Sequence, residues 1–289
     1  MRLVTFQNSD SPRVGALVNG DAQVVDLAAV DPQIPADMLD LLAGGDALMD
    51  RARQAVANAG ADQRLDAASV KFLAPVPRPG KIICIGLNYR DHAAETGQAV
   101  PDYPTVFAKY ANVVVGPGDA IVLPKVTEEI DYEAELAFVI GRRAKDVTEA
   151  EALRYVAGYT PFNDVSARDY QRRTSQWTMG KTFDTFGPMG PALVTADEIG
   201  DPHTLDIRLS IDGEVLQSSN TRHLIFGVGD LIAYLSAVMT LEPGDVVSTG
   251  TPSGVGAARQ PKRWLQAGER VRVEIARLGV LENPVVAAQ

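Results

Sequence analysis

The chain has 289 residues, 46% of them hydrophobic, so it can bury a substantial core in one large domain or in a small and a large one. Its formal net charge is -10 and its Lys and Arg residues are scattered, which argues against a nucleic-acid partner because phosphate binding requires a basic surface. The single cysteine, Cys84, excludes a disulfide framework.

The sequence predicts neither a signal peptide nor a membrane-spanning segment. The N-terminal residues become polar too early for a signal peptide, and no apolar run reaches the length of a membrane span. We therefore expect a soluble, cytoplasmic protein without a membrane partner.

Residues 1–72 are predicted to form a small N-terminal accessory domain of the α/β kind. Strand-like segments at 14–18 and 24–27 precede two segments with helical spacing of apolar residues, 37–42 and 48–59. The proline-rich segment 74–80 is predicted to be a linker, because prolines are excluded from helix interiors and central strands. If the linker is exposed, limited proteolysis should cut it first.

Residues 73–289 are predicted to form a larger, β-rich domain of the α+β class. Short β-branched runs bounded by turn residues predict strands at 82–85, 113–115, 121–123, 136–140, 205–211, 246–248 and 271–275. Helices are predicted at 149–156 and 225–239.

Three carboxylates are the most informative residues of this domain. Glu133 and Glu135 begin an apolar, strand-like run, and alternate residues of a strand point to the same face. Asp164 follows in a polar segment. Because oxygen ligands without nearby Cys or His favour hard ions, these side chains predict a Mg2+, Mn2+ or Ca2+ site. The alternative is a solvated edge strand with an acidic face.

His92 and Glu95 are candidates for proton transfer. They follow the Gly86 turn in a segment with helical character, and residues three apart lie on the same face of a helix, where the carboxylate can orient the imidazole. The alternative is an exposed pair that contributes only a few tenths of a kcal/mol to helix stability.

Two further segments are rich in glycine. Lys181 lies in a stretch of glycines, aromatics and prolines that predicts an ordered loop, from which its ammonium group could face the carboxylates. The alternative is a surface lysine near a turn. The segment 249–256 lacks the ending of a phosphate loop, so we expect it either to offer amides and Thr251 to a carboxylate or to be a simple turn.

Together these residues resemble the fumarylacetoacetate hydrolase family. Five motifs occur in order, beginning at residues 88, 133, 163, 180 and 249: Asn-Tyr-x-x-His-x-x-Glu, Glu-x-Glu, Asn-Asp-Val-Ser-Ala-Arg-Asp-x-Gln, Gly-Lys-x-x-Asp-Thr-Phe-x-Pro-x-Gly-Pro and Thr-Gly-Thr-Pro-x-Gly-Val-Gly. Ile85 stands where the larger eukaryotic hydrolase has a further ligating aspartate, so the chain resembles the smaller, bacterial-type members. The Gln-Trp pair and the segment Thr-Phe-Asp-Thr-Phe-Gly-Pro-Met-Gly-Pro are most similar to those of members that act on 2,4-diketo-3-deoxy sugar acids or are named ureidoglycolate lyases.

The resemblance implies a mixed β-sandwich roll fold for residues 73–289, a homodimer, and a bound Mg2+ or Mn2+, with Ca2+ as a substitute in crystals. It also implies roles for individual residues: metal ligation by Glu133, Glu135 and Asp164, a position beside the ion for Lys181, a mobile lid with His92 and Glu95, and substrate contacts from Arg168, Gln171 and Thr251.

From this resemblance we expect a metal-dependent hydrolase that cleaves a carbon-carbon bond in a 2,4-dioxo acid, giving a 2-oxo acid and a carboxylate. His92 would deprotonate the attacking water, and Lys181 and Gln171 would stabilise the oxyanion. The same site would also serve oxaloacetate decarboxylation, isomerisation or a ureidoglycolate-lyase-type reaction. A non-catalytic small-acid-binding protein is the alternative from another class, against which the His92 and Glu95 pair counts.

Overall fold

The computed structural model describes residues 1–7 and 11–289. The first part of the chain contributes five strands to this description: β1 (Arg2–Gln7), β2 (Pro12–Val18), β3 (Gln23–Asp26), β4 (Arg64–Asp66) and β5 (Lys71–Leu73). Its helices are α1 (Leu27–Val30), α2 (Met38–Ala43) and α3 (Gly45–Asn58). Both helical predictions for this part are confirmed, and Asp37 caps α2 by accepting the amides of Leu39 and Asp40.

The rest of the chain is dominated by strands. They are β6 (Ile82–Gly86), β7 (Thr105–Lys109), β8 (Val114–Val115), β9 (Ile121–Leu123), β10 (Ile130–Asp131), β11 (Ala134–Ile140), β12 (Val156–Asn163), β13 (Ser166–Ala167), β14 (Gly187–Pro188), β15 (Leu193–Thr195), β16 (Asp206–Ile211), β17 (Glu214–Asn220), β18 (Val246–Ser248), β19 (Arg270–Ile275) and β20 (Gly279–Ala287). The helices are α4 (Arg90–Thr96), α5 (Glu149–Ala152), α6 (Arg168–Gln171), α7 (Thr178–Lys181), α8 (Ala196–Ile199) and α9 (Val228–Val238).

Two mixed sheets organise most of these strands, while β10 with β13 and β8 with β14 form two separate short pairs. The larger has the order β4-β3-β2-β1-β15-β12-β11-β18-β6-β7, with β5 also paired to β1, and the smaller has the order β17-β16-β19-β20-β9. The smaller sheet packs on β11 and β12, the centre of the larger one. Every residue of β11 is buried, which explains its nearly continuous apolar sequence. The predicted β-rich α+β fold is confirmed.

The N-terminal strands extend the same large sheet. β1 pairs with β15 through Arg2 and Leu3, opposite Val194 and Leu193. The linker is largely buried at Ala74, Pro75, Val76 and Pro79, so the exposure on which its early cleavage depended is not found. The boundary near residue 73 stays a prediction.

The helix predicted at 149–156 ends early. Only Glu149–Ala152 is α-helical, a 3-10 turn follows at Leu153–Tyr155, and Val156 begins β12. β12 escaped prediction because it contains Gly158 and Pro161, residues that usually interrupt strands. Gly158 is required here, since a Cβ atom would lie 2.3 Å from the carbonyl oxygen of Val194. Pairing with β11 and β15 therefore overrides the local preference.

Other boundaries shift by a few residues. The helix predicted at 225–239 runs from Val228 to Val238, and the strand predicted at 113–115 is reduced to Val114–Val115 after a 3-10 turn. Within residues 1–7 and 11–289, no helix is long and apolar enough to cross a membrane.

Candidate active site

The candidate site lies where the ends of four neighbouring strands meet. β12 and β18 both run antiparallel to β11, so their C-terminal ends lie beside its N-terminal end. β6 runs parallel to β18 and ends at the same edge. Glu133 and Glu135 therefore lie at the start of β11, Asp164 follows β12, and α4 with His92 follows β6.

The three predicted metal ligands form one buried cluster. Glu133, Glu135 and Asp164 each offer a carboxylate oxygen, and these oxygens lie within 4.8 Å of one another. The residues are 5%, 2% and 0% exposed, which rules out the solvated edge strand considered as the alternative. Three converging oxygen ligands match the preferences of a hard divalent cation.

Two of these carboxylates are held by cations. Lys181 donates to Glu133 at 2.6 Å and to Asp164 at 2.7 Å, and Arg168 donates to the other oxygen of Glu133 at 2.5 Å. Burial alone would raise the pKa of Glu133, but the charges of Arg168 and Lys181 outweigh it and lower that pKa to about 2. Lys181 is 2% exposed and is not the surface lysine of the alternative interpretation.

Glu135 is bound differently, by neutral donors. Its Oε2 atom accepts the Ser248 hydroxyl at 2.6 Å and the Gly250 amide at 2.8 Å. Gly250 has a φ of +100°, a conformation that favours glycine. Burial, reinforced by the charges of Asp164 and Glu133, raises the pKa of Glu135 well above its ordinary value.

The charges of the cluster leave one negative charge in excess. The buried carboxylates are Asp131, Glu133, Glu135 and Asp164, and the buried cations bound to them are Lys109, Arg168 and Lys181. Four acids facing three bases favour either a proton on Glu135 or a bound cation. The donor set and this excess charge both fit a divalent ion.

Sequence reasoning missed Lys109 and Asp131. Lys109 donates to Asp164 at 2.5 Å and to the Val165 carbonyl at 3.0 Å, and burial lowers its pKa although Asp164 opposes that shift. Asp131 accepts Nε of Arg168 at 2.8 Å. The alternation Asp-x-Glu-x-Glu could have suggested Asp131, whereas nothing in the Thr-Val-Phe-Ala-Lys strand singles out Lys109.

A cavity of about 310 Å³ opens above the cluster. Its lining brings together seven of the nine site residues expected from the sequence: His92, Glu133, Glu135, Arg168, Gln171, Lys181 and Thr251. The other two do not line the cavity but contact residues that do, since Asp164 accepts Lys181 and Glu95 lies against His92. The apolar part of the wall is formed chiefly by Ile85, Leu87, Phe107, Trp177 and Val255. The volume is at the small end of the range for ligand sites, which suits a compact organic acid.

The His92 and Glu95 pair forms at the entrance. α4 ends at Gly97 in the left-handed conformation, and within it Nδ1 of His92 lies 3.0 Å from Oε2 of Glu95. The other oxygen of Glu95 accepts the Gly254 amide at 2.8 Å. The side chains are 13% and 23% exposed, so they are not the free surface pair of the alternative interpretation.

The 249–256 loop serves the protein's own carboxylates. The amides of Gly250, Gly254 and Gly256 donate to Glu135, Glu95 and Asp131, respectively. Thr251 donates to the Ala134 carbonyl at 2.9 Å and accepts Gln217 at 2.8 Å while lining the cavity. The loop is more than a simple turn, because it positions the base of the cluster and the entrance pair together.

Comparison with known proteins decides the family. The model of the fumarylacetoacetate (FAA) hydrolase C-terminal domain matches residues 81–286. The chain belongs to the fumarylacetoacetate hydrolase family. The family resemblance inferred from the five motifs is thus confirmed.

Relatives of known name match nearly the whole chain. A protein of Xenopus laevis named mitochondrial oxaloacetate tautomerase is 48% identical over 99% of this chain and 90% of its own length. The Rattus norvegicus protein of the same name is 47% identical over 99% and 92%. These family members are named as tautomerases, so the hydrolase class expected from the sequence is not confirmed.

Solved structures of family members share the fold over the full length. A fumarylacetoacetate hydrolase from psychrophilic Exiguobacterium antarcticum has a TM-score of 0.87 at 34% identity, with 100% of both chains covered. A maleylpyruvate hydrolase from Sphingobium, in complex with manganese (II) ion and pyruvate, has a TM-score of 0.83 at 32% identity, again with 100% of both chains covered. The β-sandwich roll fold is confirmed.

The predicted cytoplasmic location is wrong by this comparison. Relatives at 46–48% identity are named mitochondrial. The error has a physical reason, because composition and the lack of an apolar span describe any aqueous compartment equally well.

Proposed function

We propose that the protein is a metal-dependent tautomerase that interconverts the keto and enol forms of a short 2-oxo dicarboxylic acid of the oxaloacetate type. The main support is that relatives named oxaloacetate tautomerase match 99% of the chain at 46–48% identity. Glu133, Glu135 and Asp164 would hold the ion. When bound, Mg2+ or Mn2+ supplies positive charge that stabilises a developing negative charge on the 2-oxo oxygen.

His92 is the proposed base at C3 of the acid. An ionised Glu95 can only accept, so Nδ1 of His92 carries the proton directed at Glu95, and Nε2 keeps its lone pair. Nε2 then removes the proton from C3, while the 2-oxygen takes a proton from water at the open entrance, which gives the enol. His92 releases its proton to water before the next turnover, and the conversion of enol to keto acid runs through the same transfers in reverse.

Lys181 and Gln171 orient the acid in this proposal. Lys181 uses two N–H donors on Glu133 and Asp164, which leaves a third for a substrate oxygen. The oxygen of Gln171 accepts NH1 of Arg168 at 2.9 Å, so its NH2 group is the part that can face the cavity. The guanidinium of Arg168 donates hydrogen bonds to Asp131, Glu133 and Gln171. In this proposal Arg168 therefore orients Gln171 and does not make the substrate contact expected from the sequence.

Hydrolysis of an acylpyruvate is the second candidate. The observation that favours it is the maleylpyruvate hydrolase of the same fold, solved with manganese (II) ion and pyruvate. In that reaction His92 would deprotonate a water molecule instead of a carbon atom. The two reactions therefore need the same residues and differ in whether a carbon-carbon bond breaks.

Proton exchange separates the candidates. The Mn2+- or Mg2+-loaded protein is given oxaloacetate in D2O, and deuterium incorporation at C3 is followed by NMR alongside pyruvate formation. Tautomerisation predicts exchange faster than in buffer without matching pyruvate release, and His92→Ala should abolish the acceleration. Acetylpyruvate is tested in parallel. If the protein cleaves acetylpyruvate but does not accelerate deuterium exchange at C3 of oxaloacetate, the tautomerase proposal is wrong and the hydrolase proposal is supported.

A further inference from the structure

Among the residues that the structure describes, one cation of the cavity lining has no side-chain partner. Arg168, Lys181 and Arg172 are the Lys and Arg side chains of its lining. Arg168 and Lys181 are bound to buried carboxylates. Among residues 1–7 and 11–289, the guanidinium of Arg172 has neither an ion-pair nor a hydrogen-bond partner. Its charge is therefore available to a ligand.

Arg172 is positioned by the same helix that carries Arg168. It caps the C-terminus of α6 in a right-handed helical conformation, with φ of -94° and ψ of -2°. It follows Arg168 by four residues, so both lie on one face of the helix, about 6 Å apart along its axis. Arg168 is buried and Arg172 is exposed, which places the two charges at the inner and outer ends of the cavity wall.

The aromatic part of the cavity wall offers no charge to an anion. Phe107 and Trp177 stack edge to face with their ring centroids 5.5 Å apart, and the ammonium of Lys181 lies 5.0 Å from the Phe107 centroid. Burying a carboxylate against such a surface without a charged partner is unfavourable. An acid anchored at the inner end needs a cation at the outer end if it carries a second carboxylate.

We propose that Arg172 is the specificity-determining residue that binds the second carboxylate of a 2-oxo dicarboxylic acid. The inference rests on the proposed function, since it names the part of the substrate that distinguishes oxaloacetate from 2-oxo acids with a neutral arm. Arg is suited to this task because its planar guanidinium can bind a carboxylate through two parallel hydrogen bonds.

The next residue provides a matched control. Arg173 is also exposed, but it is paired with Asp169 at 3.2 Å and stacked 3.4 Å above the Tyr170 ring, and it does not line the cavity. Arg172→Gln and Arg173→Gln remove the same charge from adjacent positions. Only the first should change how the protein treats a substrate with a charged arm.

Kinetics provide the first test. Tautomerisation of oxaloacetate and of its 4-ethyl ester, in which the distal charge is absent, is measured for the parent and both variants with Mn2+. Arg172→Gln should raise KM for oxaloacetate about tenfold, the effect of losing one charge-assisted contact, and leave kcat and the ester unchanged. Arg173→Gln should behave as the parent. Equal effects of Arg172→Gln on both substrates, or none, would overturn the proposal.

Equilibrium binding keeps this inference separate from the proposed reaction. Calorimetry with the Mn2+-loaded proteins compares 3,3-difluorooxaloacetate, which cannot enolise, with oxalate, which has no arm. Arg172→Gln should weaken the difluoro acid about tenfold and spare oxalate. That result in a protein without tautomerase activity would retain the role of Arg172 and refute the reaction. Unchanged affinity, or no binding of the difluoro acid to the parent, would refute the role of Arg172.

Discussion

Glu95 and Gly254 are joined by a hydrogen bond of 2.8 Å that spans 159 positions of the sequence. The bond fixes one oxygen of Glu95 on the loop that also donates to Glu135 through Gly250. The other oxygen holds His92. The entrance pair and the carboxylate cluster are therefore aligned by one loop, and the position of the base depends on that loop as well as on α4.

Glu95→Gln should lower the rate without removing the base. The amide oxygen can still accept the Gly254 amide, but the NH2 group would face Nδ1 of His92 and favour the tautomer that carries its proton on Nε2. We expect kcat to fall roughly 10-fold to 100-fold, the usual cost of losing an orienting partner. His92→Ala should cost roughly 100-fold to 10,000-fold, as for loss of a general base.

Binding measurements provide the control for these two variants. Neither variant removes a proposed metal ligand, so Mn2+ and oxalate should bind with the parent affinity in calorimetry. A Glu95→Gln protein with the parent rate would show that Glu95 does not set the tautomer of His92.

The free energy of unfolding of the metal-free protein should fall as pH rises, because of the ionisation of Glu135. Because its pKa is raised in the folded state, the folded protein holds a proton that the unfolded chain loses above about 4.3, the ordinary Glu pKa. Stability therefore falls as pH rises above that value, until the folded carboxyl also ionises. Each unit of pKa difference corresponds to about 1.4 kcal/mol, or about 2–4 °C in Tm for a domain of this size.

Metal affinity should change in the opposite direction. A divalent ion competes with the proton on Glu135, so binding should strengthen from pH 5 to pH 8. Thermal unfolding with EDTA and Mn2+ calorimetry across this range measure both trends. Glu135→Gln, which keeps the shape but cannot ionise, should flatten the stability trend and weaken Mn2+ binding. Parent-like Mn2+ affinity in this variant would refute the metal site.

Lys109→Met should destabilise the metal-free protein strongly. The change removes one of the two buried cationic partners of Asp164 and adds one uncompensated negative charge to the cluster, at a cost of roughly 3–5 kcal/mol. A divalent ion neutralises that excess, so Mn2+ should restore more stability to the variant than to the parent. Urea unfolding with and without Mn2+ measures the difference.

Lys71 supplies the comparison for Lys109. It forms an ion pair with Asp119 at 2.8 Å, but its side chain is 59% exposed. Lys71→Met should cost at most about 1 kcal/mol and should not alter the response to Mn2+. Equal losses in the two variants would mean that the buried position of Lys109 carries no special energy.

Limited proteolysis should cut the entrance segment before the proline-rich linker. Residues 94–100 form a continuous exposed stretch, whereas the linker is held partly by the Thr5 hydroxyl, which donates to the Pro75 carbonyl at 2.7 Å. Subtilisin fragments identified by mass spectrometry should map first to 94–100. Oxalate with Mn2+ should slow this cleavage if the segment closes over the ligand. Earlier cleavage at 74–80 would contradict the packing of the linker.

The sequence by itself determined the features that depend on local geometry. Alternation along a strand brought Glu133 and Glu135 to one face, and a three-residue spacing on a helix joined His92 to Glu95. The order of five motifs was enough for the family, since those motifs preserve side chains and turns together. The ligand chemistry followed from residue types alone, because three carboxylates without cysteine or histidine favour a hard ion.

Only the tertiary structure decided which distant charges meet. Lys109 and Asp164 are 55 residues apart, and the register of the sheet and its crossing loops, rather than either local sequence, brings them within 2.5 Å. The same packing commits Arg168 to Asp131 and Glu133 and, within the part of the chain that the structure describes, leaves the Arg172 side chain without a partner. β12 formed despite Gly158 and Pro161 because its neighbours β11 and β15 supply the pairing energy that its own residues lack. Long-range pairing and burial set these outcomes, and neither is encoded in the spacing of residues along the chain.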